Sequence, residues 1–140
     1  MGRFRVTLAP LFAAPSLVQL HVGLGLAALI VGAARVALPH PERRDRALGW
    51  TFLALLAATA LTAVLLARPP GAPNLFGLTL GHLFVFGAVI GMGAAVLAAR
   101  NADRLRWRNI VTALFAGVLV MAGLFEVTPG RLLNTVLAGG

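Results

Sequence analysis

Residues 17–38 read LVQLHVGLGLAALIVGAARVAL, an apolar stretch with one imidazole near its start and one arginine near its end. An α-helix needs about 20 mostly apolar residues to cross the hydrocarbon of a bilayer. Three further stretches of this kind follow, at residues 50–67, 79–99 and 110–127. The sequence therefore predicts four membrane-spanning helices within residues 17–127, between an N-terminal tail at 1–16 and a C-terminal tail at 128–140.

The composition identifies the bilayer as the solvent of most of the chain. Of 140 residues, 59% are hydrophobic and 11% are charged, and the mean hydropathy is +0.91. Soluble domains carry about 25% charged residues. The chain has no Cys, Lys or Tyr and its only serine is Ser16. The lack of Cys excludes disulfides, thiolate metal sites and a cysteine nucleophile, and Ser16 alone does not allow a Ser/His/Asp set to be assembled. We therefore do not expect the chain to be an enzyme by itself.

The positive charges predict the orientation of the chain in the membrane. All twelve basic residues are arginines, and the formal net charge is +8. Eight of them flank the first and third breaks between apolar stretches, and four flank the tails and the second break. Because arginines accumulate on the cytoplasmic side, we expect those two breaks in the cytoplasm and both termini outside. This predicts a protein of the bacterial inner membrane that does not bind nucleic acid.

One pattern occurs twice in the chain. His21-x5-Ala27-x4-Gly32-Ala33-Ala34 is matched by His82-x5-Ala88-x4-Gly93-Ala94-Ala95. Each copy leads into an arginine-rich break of about ten residues and then into a second apolar stretch. We therefore predict an all-α bundle of four transmembrane helices, built from two repeated helical hairpins. Trp50 and Trp107 re-enter the apolar region at matching positions, which predicts a role as interface anchors.

The paired histidines are the main functional signal. An ionisable side chain within a membrane helix is costly, and it marks a functional site by default. His21 and His82 lie at similar depths, and spans one and three can be diagonal neighbours in a bundle of two parallel repeats. Two neutral imidazoles that face each other in this way fit the axial ligands of a b-type haem. We interpret the pair as a candidate bis-histidine haem site near the outer face.

Three glycines lie on the histidine stripes. Gly32 and Gly93 each follow their histidine by eleven residues, which is about three helical turns, and Gly25 also lies on the His21 stripe. Small residues let membrane helices approach closely. The glycines therefore indicate either ordinary helix packing or room for a flat macrocycle between the histidines.

Other candidate residues lie at the outer ends of the spans. Arg68 and Arg131 stand at matching positions after spans two and four, where they would meet haem propionates or reach lipid headgroups. Glu126 ends span four, where it would orient a histidine ligand, carry protons or form a solvated helix terminus. A divalent metal held by both histidines and Glu126 is a weaker alternative, because its coordination number would be low. His40 lies between two prolines, and we expect it to be solvated.

Three short motifs carry a resemblance to known proteins. They are Leu20-His21-x-Gly23, Arg46-Ala47-Leu48-Gly49-Trp50 and Arg104-x-Arg106-Trp107-Arg108. Together they resemble a group of bacterial four-helix membrane proteins known only as predicted membrane proteins. Part of the layout is similar to the four-helix core of cytochrome b561-type electron carriers. Asp45 and Asp103 stand where the resemblance implies loop histidines, which leaves no second haem or metal site on the cytoplasmic side.

Two hypotheses of different classes follow from the sequence. In the first, the protein is a one-haem cytochrome with His21 and His82 as axial ligands, which exchanges electrons with quinol or a periplasmic redox carrier. In the second, it is a cofactor-free accessory or assembly subunit of a larger membrane complex, and its histidines make interhelical hydrogen bonds. The matched histidine pair favours the first. A transporter is a more distant alternative, since only His21, His82 and Glu126 are available to carry protons.

Overall fold

The chain forms a bundle of helices. The computed structural model describes residues 8–39, 41–66, 80–126 and 136, with the backbone alone at 80, 81, 125 and 126. Its elements are α1 (Ala9–Ala13), α2 (Ser16–Ala37), α3 (Glu42–Leu65), α4 (Leu80–Arg100), α5 (Arg104–Ala113), a π-helix (Leu114–Val120) and α6 (Met121–Glu126). The last three run on from one another as a single fourth span. Within the described part, four helices are long and apolar enough to cross a membrane, which confirms the prediction of four long apolar helices.

The helices extend beyond the apolar stretches that predicted them. α3 begins at Glu42, four residues after Leu38 caps α2, and α5 begins at Arg104, after a turn at 101–103. The prediction of ten-residue loops is therefore wrong at both breaks. Hydropathy marks only the part of a helix that lies in hydrocarbon, whereas arginine is itself a good helix former. All eight arginines of the two breaks consequently lie within helices α2 to α5.

The two turns have different chemistry. Leu38 is extended and precedes Pro39, and Pro41 caps α3, because proline restricts the residue before it and fits a helix start. In the other turn Ala102 adopts a positive φ of 55°. Asp103 then caps α5, and its carboxylate accepts a hydrogen bond of 3.0 Å from the backbone N–H of Arg106.

The packing places α2 and α4 at opposite corners. α2 packs against α3 and the π-helix, and α4 packs against α3, α5 and the π-helix. The end of α2 and the start of α3, together with the turn at 101–103, lie at one end of the bundle, here called the turn end, where Arg104 pairs with Glu42. The opposite end, where α2 and α4 begin, is called the histidine end. The buried core includes Ala28, Phe52, Leu56, Ala88, Ala95, Val111 and Leu114.

Candidate functional site

His21 forms a hydrogen bond across the α2–α3 interface. Its Nδ1 lies 2.8 Å from Oγ1 of Thr62, whose residue is 6% exposed. That hydroxyl is also 2.9 Å from the carbonyl oxygen of Thr59 and 3.1 Å from that of Ala58, both on its own helix. The roles of the two groups depend on the imidazole tautomer: when the hydroxyl donates its single proton to one of these carbonyls, it accepts from Nδ1–H of His21. In the neutral imidazole, Nε2 then carries the lone pair.

Replacing Thr62 with Val should weaken the α2–α3 interface by roughly 0.6–1.7 kcal/mol, the range for interhelical hydrogen bonds in membranes. The control is Thr59→Val, because the Thr59 hydroxyl donates to Leu55 of its own helix, at 2.8 Å. SDS-induced unfolding of both variants measures the difference. Equal stability of the two variants would show that the His21 contact contributes nothing.

The face of α2 that carries His21 points into the bundle. His21, Gly25, Ala28, Gly32 and Arg35 recur at alternating intervals of four and three residues and form one stripe. Ala28, Gly32 and Arg35 are buried, and a Cβ added at Gly25 would lie 3.8 Å from Cγ2 of Thr59.

The position above Gly32 is occupied by the Phe115 ring. A Cβ built at Gly32 would overlap that ring and would lie only 3.1 Å from its Cγ. Phe115 also makes an edge-to-face contact with Phe52, with ring centroids 6.1 Å apart. The space that Gly32 leaves in the described bundle therefore holds an aromatic side chain of the chain itself.

The corresponding face of α4 points away from the bundle. Phe86, Val89, Gly93 and Val96 stand on the stripe of His82 at the same intervals, and all four are exposed. A Cβ added at Gly93 would have no neighbour within 4 Å, whereas one at Gly91 would overlap Leu114. Side chains of α4 that are buried, such as Ala95, lie on the other face. The two histidines are thus on diagonal helices at the same end, but only the His21 stripe faces the core.

Several candidate site residues lie outside the part of the chain that the structure describes. Arg68, Arg131 and His40 lie outside the described residues, and so does the side chain of Glu126, whose backbone ends α6. His82 is half-buried at the start of α4. Among the side chains that the structure does describe, no group of three His, Asp or Glu residues could hold a metal ion. The roles proposed for Arg68, Arg131 and Glu126 stay predictions.

The structure places a buried arginine at the turn end. The Arg35 side chain is 3% exposed, and its Nε lies 3.2 Å from Oδ1 of Asp45, whose side chain is 16% exposed. A hydrogen bond of 3.3 Å runs from Nη2 to Oδ2 of Asp45, and another of 3.3 Å from Nη1 to the Thr112 hydroxyl. Arg108 also lies 3.7 Å from Asp45. The guanidinium therefore ties together α2, α3 and α5.

Trp107 covers the buried arginine. The Arg35 Cζ lies 5.3 Å from the centre of the Trp107 ring, within cation–π range. Gly49 makes room for the indole, because a Cβ there would overlap the ring. Trp107 is 5% exposed and Trp50 is 38% exposed. The prediction that both tryptophans are interface anchors is wrong for Trp107, which packs between helices.

Sequence reasoning missed this cluster for a physical reason. Position along the chain groups Arg35 with the arginines of the first break, although Arg35 follows His21 by 14 residues and so lies on the same inward stripe. That spacing was the available signal. Asp45 and Asp103 also match in the repeat, but one pairs with Arg35 and the other caps α5.

Comparisons with known proteins leave the geometry as the basis for assigning a function. No protein-family model, no curated protein and no solved structure matches this chain.

Proposed function

We propose that this protein is a cofactor-free accessory subunit of a larger complex in the bacterial inner membrane. The observation that carries the proposal is the use of the inward stripe of α2. His21 bonds to Thr62, Gly32 receives the Phe115 ring, and Arg35 pairs with Asp45. These features of span one serve contacts between helices of the same chain. They favour a rigid membrane scaffold over a bundle that is hollow at its centre.

Haem binding is the second candidate, and one observation favours it. Metal-ligating histidines usually donate their other ring N–H to a neighbouring oxygen, which fixes the tautomer. His21 has this arrangement with Thr62 in the tautomer that carries the proton on Nδ1. A haem b held by His21 at the histidine end, with His82 as the second ligand, would supply one-electron chemistry toward quinol or a periplasmic carrier. The stripe of α4 that carries His82 faces away from the bundle, and haem binding is therefore the weaker of the two candidates.

An optical difference spectrum separates the two candidates. The protein is purified from cells supplied with haem, beside a His21→Ala, His82→Ala double variant, and each is measured reduced and oxidised. We expect no low-spin b-type band in either protein. A stoichiometric band in the parent protein that the double variant lacks would overturn the proposal and establish histidine-ligated haem.

The size of the native assembly tests the subunit role directly. A 14.5 kDa chain extracted from its own membrane in mild detergent should migrate within a much larger complex. The same chain overproduced alone serves as the control for the detergent micelle and for self-association. Migration of the native material with the overproduced chain would contradict an accessory subunit.

The absence of cysteine makes the proposed orientation testable by single cysteine substitutions. With the turn end in the cytoplasm, Asn101→Cys should resist a membrane-impermeant maleimide in intact cells and react after permeabilisation. Leu8→Cys, before α1 and at the opposite end, should react in intact cells. Asn101 and Leu8 are both exposed, so access to reagent depends on the side of the membrane. The reverse labelling pattern would invert the topology.

A further inference from the structure

An open depression lies on the outer side of span four. Trp107 and Val111 are buried on the inner side of α5, and the depression runs along its other side. It has a volume of about 460 Å³ and is lined by six residues: Asp103, Leu105, Arg106, Asn109, Ile110 and Ala113. One acidic and one basic side chain make this lining formally neutral. A second copy of the same surface would therefore meet it without net repulsion.

An exposed stripe continues the depression along the rest of span four. Leu105, Asn109, Ala113, Gly117 and Met121 are spaced by four residues, and all five are exposed. Residues four apart on an α-helix drift around its axis by about 40°, because 3.6 residues complete one turn. The π-helix hydrogen bonds over five residues, so its turns are wider and the drift is reversed there. The π-helix therefore keeps the five residues close to one straight line.

The stripe has the features of a surface where membrane helices meet. Ala113 and Gly117 form a small-xxx-small pair, which lets two helix backbones approach closely. A Cβ added at Gly117 would have no neighbour within 4 Å, so no described residue of the chain occupies this space. Asn109 lies within the same apolar span, and its carboxamide has no hydrogen-bond partner among the described residues. Carboxamides in membrane helices form hydrogen bonds across helix contacts.

We infer that this face of span four binds a second copy of the chain and forms a symmetric pair. Every copy inserts into the membrane with the same orientation, so the two-fold axis of a pair runs along the membrane normal. Each residue of span four then meets its own counterpart at the same depth. A carboxamide both donates and accepts, so Asn109 is complementary to the Asn109 of a second copy. Gly117 meets Gly117 in the same way, which allows close contact.

The pairing goes beyond the accessory role and does not depend on it. A pair forms in the chain overproduced alone, whereas the accessory role requires a larger assembly in the native membrane. Failure of one proposal therefore leaves the other unchanged.

Disulfide cross-linking in membranes tests the contact, because the parent chain has no cysteine. Single variants Ala113→Cys and Gly117→Cys are oxidised with copper–phenanthroline, and dimers are counted on a non-reducing gel. A disulfide forms only when two Cβ atoms come within about 4 Å. We expect strong dimer bands from both variants. Gly93→Cys is the matched control, since Gly93 is also an exposed glycine with no neighbour within 4 Å, but on α4. It should give only the background of random collisions.

The affinity of the pair is measured by Förster transfer between labelled copies in liposomes at increasing dilution in lipid. The labels are attached at Asn101→Cys, and circular dichroism checks that each variant is folded. We expect Gly117→Leu to weaken the pair about tenfold, because the added side chain separates the two helices. Gly93→Leu should leave the affinity unchanged. Asn109→Leu, which lies outside the π-helix, should weaken the pair about threefold.

Three outcomes would overturn the inference. Equal cross-linking of Gly117→Cys and Gly93→Cys would show that copies meet at random. Equal affinities of Gly117→Leu and Gly93→Leu would show that span four is not the contact. Cross-linking of Gly117→Cys in its native membrane to a different protein, with no dimer of the chain, would assign this face to a helix of a partner subunit.

Discussion

Replacing Asp45 with Asn is expected to destabilise the protein by about 3 kcal/mol, at the low end of the range for breaking a buried ion pair. The substitution leaves the Arg35 guanidinium without its counter-charge in a position where its side chain is 3% exposed. The Thr112 hydroxyl and the Trp107 ring do not supply that charge. The low end of the range applies because Asp45 is partly exposed and Arg108 already screens it. SDS-induced or thermal unfolding in detergent measures the loss.

Asp103→Asn is the matched control for this prediction. It removes the same charge from the same end of the bundle, and asparagine caps a helix about as well as aspartate. We therefore expect little change. If both variants lose the same stability, the loss reflects the general charge of the turn end and not the Arg35–Asp45 pair.

A double substitution of Arg35→Met with Asp45→Asn should recover part of the stability. Removing both charges avoids the isolated guanidinium, and buried ion pairs replaced by apolar groups are often neutral in stability. A double variant as unstable as Asp45→Asn alone would show that the Asp45 side chain acts by some other contact.

The spans were predictable from sequence because hydropathy depends on composition. Runs such as 17–38 have the length and composition of a membrane-spanning helix whatever their neighbours are, and the structure has a helix at each of the four runs. Helix ends were less predictable, since Glu42 and Arg104 are polar yet continue the helical hydrogen bonding. The π-helix at Leu114–Val120 leaves no mark in hydropathy, because it changes hydrogen-bond register and not composition.

Whether each histidine stripe faces the core or the outside of the bundle was not predictable from the repeat. Equal spacing of His21 and His82 from Gly32 and Gly93 fixes the position of each residue on its own helix. It does not fix how each helix is rotated about its axis, which depends on the side chains it meets. α2 meets Thr62 and Phe115 through its histidine stripe, whereas α4 meets Leu114 and Val118 through Gly91 and Gly87, off its histidine stripe. The two histidine stripes therefore match in sequence, yet that of α2 faces the core and that of α4 faces away from it.

The same contrast makes Gly32→Ala the second large perturbation. The added methyl group overlaps the Phe115 ring, and a ring held between α2 and Phe52 has little room to move. Overpacking of this kind costs about 1–3 kcal/mol. Gly93→Ala adds the same methyl group at the matching position of the repeat, where nothing lies within 4 Å. It should be neutral or slightly stabilising, because alanine favours the helix over glycine.

Phe115→Leu identifies the contact responsible. Combined with Gly32→Ala, the smaller side chain should relieve the overlap, so that the double variant is more stable than the sum of the two single losses predicts. Strict additivity would mean that Gly32 and Phe115 do not meet. Equal losses in Gly32→Ala and Gly93→Ala would mean that the two histidine stripes face the same kind of surroundings. Because Gly93 shares the stripe of His82, that result would indicate that His82 faces the core. Haem binding by His21 and His82 would then be favoured over the cofactor-free accessory subunit.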